Sequence, residues 1–235
     1  MTVSLFNGDC HNVMRSKEFV EVAKGKHPII VTDPPFNIGY KYNEYKDNLD
    51  ENEYLTGLCN ILGQYPFVII HYPETIYKIS YQLGLFPDKV VSWVYNSHLA
   101  RQHRDIAYFG IKPDFSMIKQ PFKNPNDKRI QKYMKDKQVN GARIYDWWKV
   151  DEVKNISHEK TEHPCQMPLQ IMENVIGIIP KREDLLVIDP YMGSGTTGVA
   201  CRNQGVDFIG IEMDKKYFEI AQHRLNDEIQ QITLF

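Results

Sequence analysis

"LLVIDPYMGSGTTGVA", Leu185 to Ala200, is the stretch on which the reading of the fold turns. Its first four residues are apolar without a break, as in a strand covered on both faces. That strand ends at Asp189-Pro190, and a glycine-rich turn, Gly193-Ser194-Gly195, runs through Thr196 and Thr197 into a predicted helix. Glycine allows the sharp turn and lets a ligand come close to the backbone, as in nucleotide-binding βα turns. The next strand, "DFIGIEM" (Asp207 to Met213), carries Glu212 near its end, 23 residues after Asp189. An acid roughly 20 residues on accepts hydrogen bonds from ribose hydroxyls in such units. A glycine-rich turn alone is a weak signal, and it gains weight from standing in register with strand, helix, strand and acid.

Outward from this unit the same rhythm recurs. "VSLF", "PIIVTD", "PFVIIH", "KVVSWVY" and "RDIAYFGI" are short apolar runs with helical segments between several of them. Runs this apolar predict a mainly parallel sheet in an α/β layer fold, with helices on both faces. "PLQIMENVIGII" sets Leu169, Met172, Val175, Ile176 and Ile179 on one helix face, and "DKKYFEIAQHRLNDEI" does the same for Tyr217, Ile220, Ala221 and Leu225, with Asp214 as its cap. At 235 residues and 42% hydrophobic content the chain can bury a sizeable core. No window approaches 18 consecutive apolar residues, and "MTVSLFNGDC" lacks the basic start and apolar stretch of a signal peptide, so a soluble, cytoplasmic protein is expected. The four cysteines, Cys10, Cys59, Cys165 and Cys201, are far apart and form no CxxC pair, which suggests neither a zinc cluster nor a disulfide framework.

"TDPPFNIGY", Thr32 to Tyr40, follows the apolar run "PIIV". Two prolines cannot continue a central strand, because each fixes φ and lacks an N–H for the ladder. The chain thus leaves a core strand abruptly, carrying a carboxylate (Asp33), two rigid carbonyls (Pro34 and Pro35) and an aromatic ring (Phe36).

From Lys112 to Lys149 ten basic residues face four acids, a local charge of +6 on a chain whose net charge is −2. The segment is rich in Asn, Lys and Pro and is interleaved with Phe115, Phe122, Tyr133, Tyr145, Trp147 and Trp148, a candidate phosphate-binding surface. It reads as an insertion over residues 111–160, emerging from a main domain made of residues 1–110 and 161–235. An ordinary solvated basic loop is the competing reading of the same charges.

"DPPF" at Asp33 to Phe36 together with "DPYMGSGTT" at Asp189 to Thr197 resembles the permuted, β-type DNA amino-methyltransferases, in which the catalytic motif precedes the cofactor motif. The resemblance implies a Rossmann-like S-adenosylmethionine-dependent methyltransferase fold, S-adenosyl-L-methionine as cofactor, and no metal. It makes Asp33, Pro34, Pro35 and Phe36 catalytic: Asp33 and the Pro34 carbonyl accept the hydrogens of a target amine, and Phe36 stacks on the base. Asp9, in "FNGDC", is implied at the cofactor's adenine. "TEHPCQMPLQIMENVI" resembles the element before the glycine-rich motif, placing His163, Pro164, Gln166 and Pro168 near the methionine end. The cofactor set is completed by Asp33, Asp189, Pro190, Tyr191, Gly193, Ser194, Gly195, Thr196, Thr197, Glu212 and Met213. Two positions depart from the family pattern, Met167 where lysine is often found and Phe36 where tyrosine is usual.

Aspartate before the prolines favours adenine-N6 in this family, whereas cytosine-N4 enzymes more often carry serine. Cytosine-N4, an RNA or protein-amide substrate, and an inactive DNA-recognition subunit are the alternatives. The implied partner is double-stranded DNA, with a homodimer and a cognate restriction endonuclease compatible with the resemblance. "HLARQHRDIAYF" resembles a segment beside the target base, making Arg101 and Arg104 phosphate contacts, with His98 and His103 outside the catalytic scheme. Lys128, Arg129, Lys132 and Arg143 complete the expected DNA contacts.

Overall fold

A computed structural model of the protein describes residues 1–97, 100–154 and 157–232, with side chains through Asn226. In chain order the elements are β1 (Val3–Asn7), α1 (Cys10–Val13), α2 (Lys17–Ala23), β2 (His27–Thr32), α3 (Glu51–Leu62), β3 (Phe67–His71), α4 (Pro73–Leu83), β4 (Lys89–Val94), β5 (His103–Phe109), β6 (Lys119–Gln120), α5 (Lys128–Lys137), β7 (Ala142–Arg143), β8 (Trp147–Lys149), α6 (Leu169–Gly177), β9 (Leu185–Asp189), α7 (Thr196–Asn203), β10 (Asp207–Glu212) and α8 (Lys215–Ile232). Eight strands form one sheet in the order β1-β10-β9-β2-β3-β5-β4-β8, and β6 pairs with β7 apart from it. All seven apolar runs of the sequence are strands of the large sheet.

From β1 to β3 the strands are parallel. β5 lies antiparallel between β3 and β4. Only residues 95–102 join β4 to β5, fewer than the dozen or so that a parallel crossover needs, so the pair closes antiparallel. Connections run in opposite senses from the middle of the sheet: β9 leads through α7 to β10 on one side, β2 through α3 to β3 on the other. The sheet therefore has its topological switch point between β9 and β2, and a crevice opens beyond the carboxyl ends of those two strands.

Right-handed crossovers in opposite directions place their helices on opposite faces. α1 to α4 cover one face through Phe19, Leu55, Leu58, Leu62, Ile76 and Ile79. α6, α7 and α8 cover the other through Met172, Val175, Val199, Cys201, Ala221 and Leu225. Asp214 caps α8 as expected, accepting from the N–H of Lys216 and Tyr217 at 2.9 and 3.1 Å.

The expected insertion is more deeply anchored than its polarity suggests. β8 is an edge strand of the main sheet, parallel to β4, and Ile111, Ile144 and Trp148 are core residues. The part standing clear narrows to β6, β7 and the surface helix α5, which buries no residue fully. Of the two adjacent tryptophans, Trp148 is 4% exposed and donates from Nε1 to the Tyr145 carbonyl at 2.8 Å, whereas Trp147 is 53% exposed and stacks on Tyr145. Trp148→Ala should cost about 3–5 kcal/mol in denaturant unfolding and Trp147→Ala less than about 1. Equal effects would contradict the anchoring of this segment in the core.

Candidate active site

At the switch point the two strand tips are tied by one carboxylate. Asp189 is buried and accepts from Thr32 Oγ1 at 2.7 Å, Thr197 Oγ1 at 2.5 Å and the Tyr191 N–H at 3.1 Å. Burial pushes its pKa up to about 6, against the pull of the Thr197 and Thr32 hydroxyls. Beyond Tyr191 the chain turns through Gly193 at φ +50°, where a Cβ would sit 2.8 Å from His163 Nε2. Glycine is required here for both reasons. Glu212, at the tip of β10, grips this turn: its Oε2 accepts from the Gly193 N–H at 3.0 Å and its Oε1 from the Asp214 N–H at 2.8 Å. Arg224 of α8 holds the far side, donating to the Ser194 carbonyl at 2.7 Å, Ser194 Oγ at 3.0 Å and Thr196 Oγ1 at 3.1 Å.

The tip after β2 is braced differently. Tyr54 of α3 donates its hydroxyl to the Pro35 carbonyl at 2.7 Å and lies 3.0 Å from His71 Nε2. His71 Nδ1 accepts from the Tyr72 N–H at 2.8 Å, so the ring's proton is on Nε2 and a chain runs from His71 through Tyr54 to Pro35. Burial, followed by the nearby Arg104 charge, holds the His71 pKa down to about 3, which keeps the ring neutral. Phe36 is set by His71 at 4.2 Å and by the edge of Tyr72 at 4.8 Å between centroids. The following loop is folded around Asp47, whose carboxylate accepts from the N–H groups of Asn37, Ile38 and Tyr40 at 2.7, 3.1 and 2.9 Å.

Asp33 and Gly193 open onto one cavity of about 350 Å³. Among the expected residues, Asp9, Asp33, Pro34, Pro35, Phe36, His163, Pro190, Tyr191, Gly193, Glu212 and Met213 line it. The lining does not include Pro164, Gln166, Pro168, Asp189, Ser194, Gly195, Thr196 or Thr197. Asp189, Ser194, Thr196 and Thr197 brace the turn from behind, and Gln166 organises its own loop by bonding Thr161 and the Glu159 carbonyl. Met167 is buried and also off the cavity. Asp33 Oδ1 is occluded and has no hydrogen-bond partner, and burial drives its pKa up to about 7 against the Arg104 charge. Glu212 is likewise pushed to about 7 by burial, against its two backbone donors.

Several lining residues carry no motif. Tyr40, Tyr42 and Tyr45 come from the loop around Asp47, and Tyr72 follows β3. Tyr72 could have been found from position alone, since it lies just past the carboxyl end of the strand beside β2. Among the expected DNA contacts, Lys128, Arg129 and Lys132 are exposed on α5, and Arg143 is exposed on β7. Arg101 is exposed at the rim, paired with Glu74 at 2.9 Å and lying over the Tyr72 ring. Arg104 differs from expectation: its guanidinium turns inward onto Phe36, Trp93 and Tyr95 and pairs with Glu152, so it is not placed to meet a phosphate at the surface. His98 lies outside the described residues.

The family model for DNA methylases that modify N6 or N4 amines matches residues 28–223, and the chain belongs to this family. The type II methyltransferase M.HpaI of Haemophilus parainfluenzae is 29% identical over 93% of this chain and 74% of its own length. The DNA adenine methyltransferase YhdJ of Escherichia coli is 26% identical over 84% of this chain and 76% of its own. The crystal structure of the M1.HpyAVI–SAM complex superposes with a TM-score of 0.58 at 26% identity, covering 95% of this chain and all of that one. The sheet is thus that of S-adenosylmethionine-dependent DNA methyltransferases, with S-adenosyl-L-methionine as the methyl donor. The Gly193 turn without a Cβ and the Glu212 carboxylate at the cavity wall fit that donor. Among the described residues no helix is long and apolar enough to cross a membrane.

The buried carboxylates set a pH dependence. Asp33, Asp189 and Glu212 keep their protons to higher pH folded than unfolded, so stability falls as pH rises from about 4.5 through 7. His71 and His163, held down by burial to about 3 and about 4, act the other way, and stability falls as pH drops below 6.5. The unliganded protein's melting midpoint should therefore rise as pH falls from 8 through about 6.5, and below that the two imidazoles cancel most of the gain from the three carboxylates. Asp33→Asn should flatten that limb, and a wild-type midpoint indifferent to pH across it would contradict the burial of these groups.

Proposed function

We propose that the chain transfers the methyl group of S-adenosyl-L-methionine to the exocyclic N6 amine of an adenine turned out of double-stranded DNA. The observation that carries this is the unpartnered, buried oxygen of Asp33, at the tip of β2, in the same cavity as Gly193 and Glu212. An exocyclic amine is a poor nucleophile while its lone pair is delocalised into the ring. Two acceptors placed on its hydrogens favour the pyramidal nitrogen that attacks, and acceptors fixed in advance cost little reorganisation. Asp33 is one acceptor. The Pro35 carbonyl is occupied by Tyr54, which supports Pro34 as the other. With a pKa of about 7, Asp33 can also take the proton that the alkylated nitrogen sheds.

The donor supplies an electrophilic methyl on a sulfonium. Asp9, Asp33, Glu212 and Asp214 line the cavity, a surplus of carboxylates that suits a cationic group. Glu212 is assigned to the ribose hydroxyls and Phe36 to stacking on the base, with Tyr72 and Tyr42 as further flat walls. Within a duplex the amine cannot reach this depth, so the base must be extruded, at a few kcal/mol recovered by stacking and edge contacts. The exposed lysines and arginine of α5, with Arg143, are assigned to the DNA backbone, making the 111–160 region the recognition segment. Adenine is chosen over cytosine from Asp33 itself, which stands where N4 enzymes of the resembled family more often carry serine.

Digesting reacted DNA to nucleosides should yield N6-methyladenine; N4-methylcytosine or unmodified DNA would overturn the assignment. Asp33→Ala should lower kcat by about 10² or more while leaving donor affinity nearly unchanged by calorimetry. Neutralising Lys128, Arg129 and Lys132 together should flatten the salt dependence of DNA affinity by about two to three counterions in slope. An unaltered slope would remove α5 from the interface.

A further inference from the structure

The proposed reaction uses no cation from the protein, yet one is built into the wall of its cavity. Arg104 lies on β5 opposite Trp93 of β4. Its guanidinium carbon sits 5.0 Å from the ring centroids of Phe36 and Trp93 and 5.4 Å from that of Tyr95. Glu152, just beyond β8, accepts from it at 2.9 Å. Burying a guanidinium this way is expensive unless partners compensate. Burial does work against its charge, and Asp33, Tyr95 and Glu152 together outweigh it. Arg104 Nε and Asp33 Oδ1 are both occluded and both lack hydrogen-bond partners. Both residues line the one cavity, the guanidinium lies over Phe36 three residues along from Asp33, and the two charges act on each other while Asp33 Oδ1 stays free for a substrate amine.

We propose that Arg104 is a positioning residue for the transfer: clamped by Glu152 among Phe36, Trp93 and Tyr95, it fixes the Phe36 ring and keeps the Asp33 carboxylate in its anionic, accepting form. This rests on the reading of Asp33 as the amine's acceptor. Burial is the largest influence raising Asp33, Arg104 opposes it, and Asp189 and Glu152 reinforce it. Asp33 also faces Tyr54 of α3, Tyr42 of the loop after the prolines, and Cys165. Burial raises all three of those groups, which are neutral near pH 7 and common to every variant below. Differences between variants therefore report Arg104 and Glu152.

The test is the acid limb of kcat/KM for unmodified bacterial genomic DNA between pH 5.5 and 9, which reports ionisations of the unliganded protein. Arg104→Gln should move that limb upward by about 1 pH unit, with rate recovered in alkaline solution. Arg104→Lys, which restores the charge, should return the limb toward the wild-type position. Glu152→Gln should move it downward, because an anion is lost and Arg104 is freed to approach Asp33. Limbs unchanged in both Arg104→Gln and Glu152→Gln, with rates lowered by one factor at every pH, would overturn the proposal and leave Arg104 a packing residue. If Arg104→Gln does not fold, the direction of the Glu152→Gln shift decides alone. A wild-type protein that forms no methylated base, or an Asp33→Ala variant of full activity, overturns the methyl-transfer reading instead.

Discussion

The buried carboxylate of Asp189 is the constraint on which the site depends. β2 and β9 are neighbours in the sheet, paired up to Ile30 and Ile188, after which Val31 and Thr32 pair with β3 and Asp189 with β10. Their tips then diverge, one into two prolines and the other into a glycine turn, and beyond Thr32 and Asp189 the ladders end. Asp189 closes the gap by accepting from Thr32 on one side and from Thr197 and the Tyr191 backbone on the other. It is therefore a residue of the motif without being a residue of the cavity. It keeps the proposed catalytic and donor-binding loops at a fixed separation, where a displacement of about 1 Å would cost orders of magnitude in rate.

Fixing loops so near a cavity has an energetic consequence. Asp33, Asp189 and Glu212 are carboxylates in surroundings that disfavour their charge, and His71 and His163 are imidazoles held neutral. Asp189 and Glu212 recover part of the desolvation through hydrogen bonds to the turn they hold. Asp33 recovers none through Oδ1. Such groups are where a fold gives up stability for function. The surrounding framework, from the Tyr54–His71–Pro35 chain to the Asp47 loop, is fully bonded where Asp33 is not.

Much of this was legible in the amino acids. Seven strands declared themselves by short apolar runs, and the two motifs stand at the ends of β2 and β9, the pair that flanks the switch point. β8 did not, because Trp147 to Lys149 is three residues long inside a polar, lysine-rich stretch. Tyr40, Tyr42 and Tyr45 are hidden for a similar reason, since they alternate with Lys, Asn and Glu in a segment that reads as a loop and is ordered by Asp47 and Leu49 from further along. The inward turn of Arg104 escapes a reading from charge, because charge gives no direction. A usable signal was present all the same: in a strand, residues two apart share a face, and Arg104 has the parity of Ile106 and Tyr108, both fully buried. The partners that make its burial tolerable lie on β4, after β2 and after β8, too far apart in sequence for any spacing rule to join them.

The anchoring of the 111–160 region gives the two proposed halves of the function a mechanical link. Where this region rejoins the sheet, three consecutive residues bond the strand pair that carries Arg104. The Val150 carbonyl accepts from Trp93 Nε1 at 2.7 Å, Asp151 Oδ1 from the Asn96 N–H at 3.0 Å, and Glu152 from Arg104 itself. Trp93 is at once a wall of the guanidinium's aromatic box and the anchor of this segment, so neither can shift without disturbing the other. A displacement of β8 would be carried to Glu152, and from there to Arg104. Closely packed groups transmit displacement because they have no slack to absorb it. The path from β8 to Arg104 is accordingly built from packed rings and hydrogen bonds, with the Arg104–Glu152 pair as its last step.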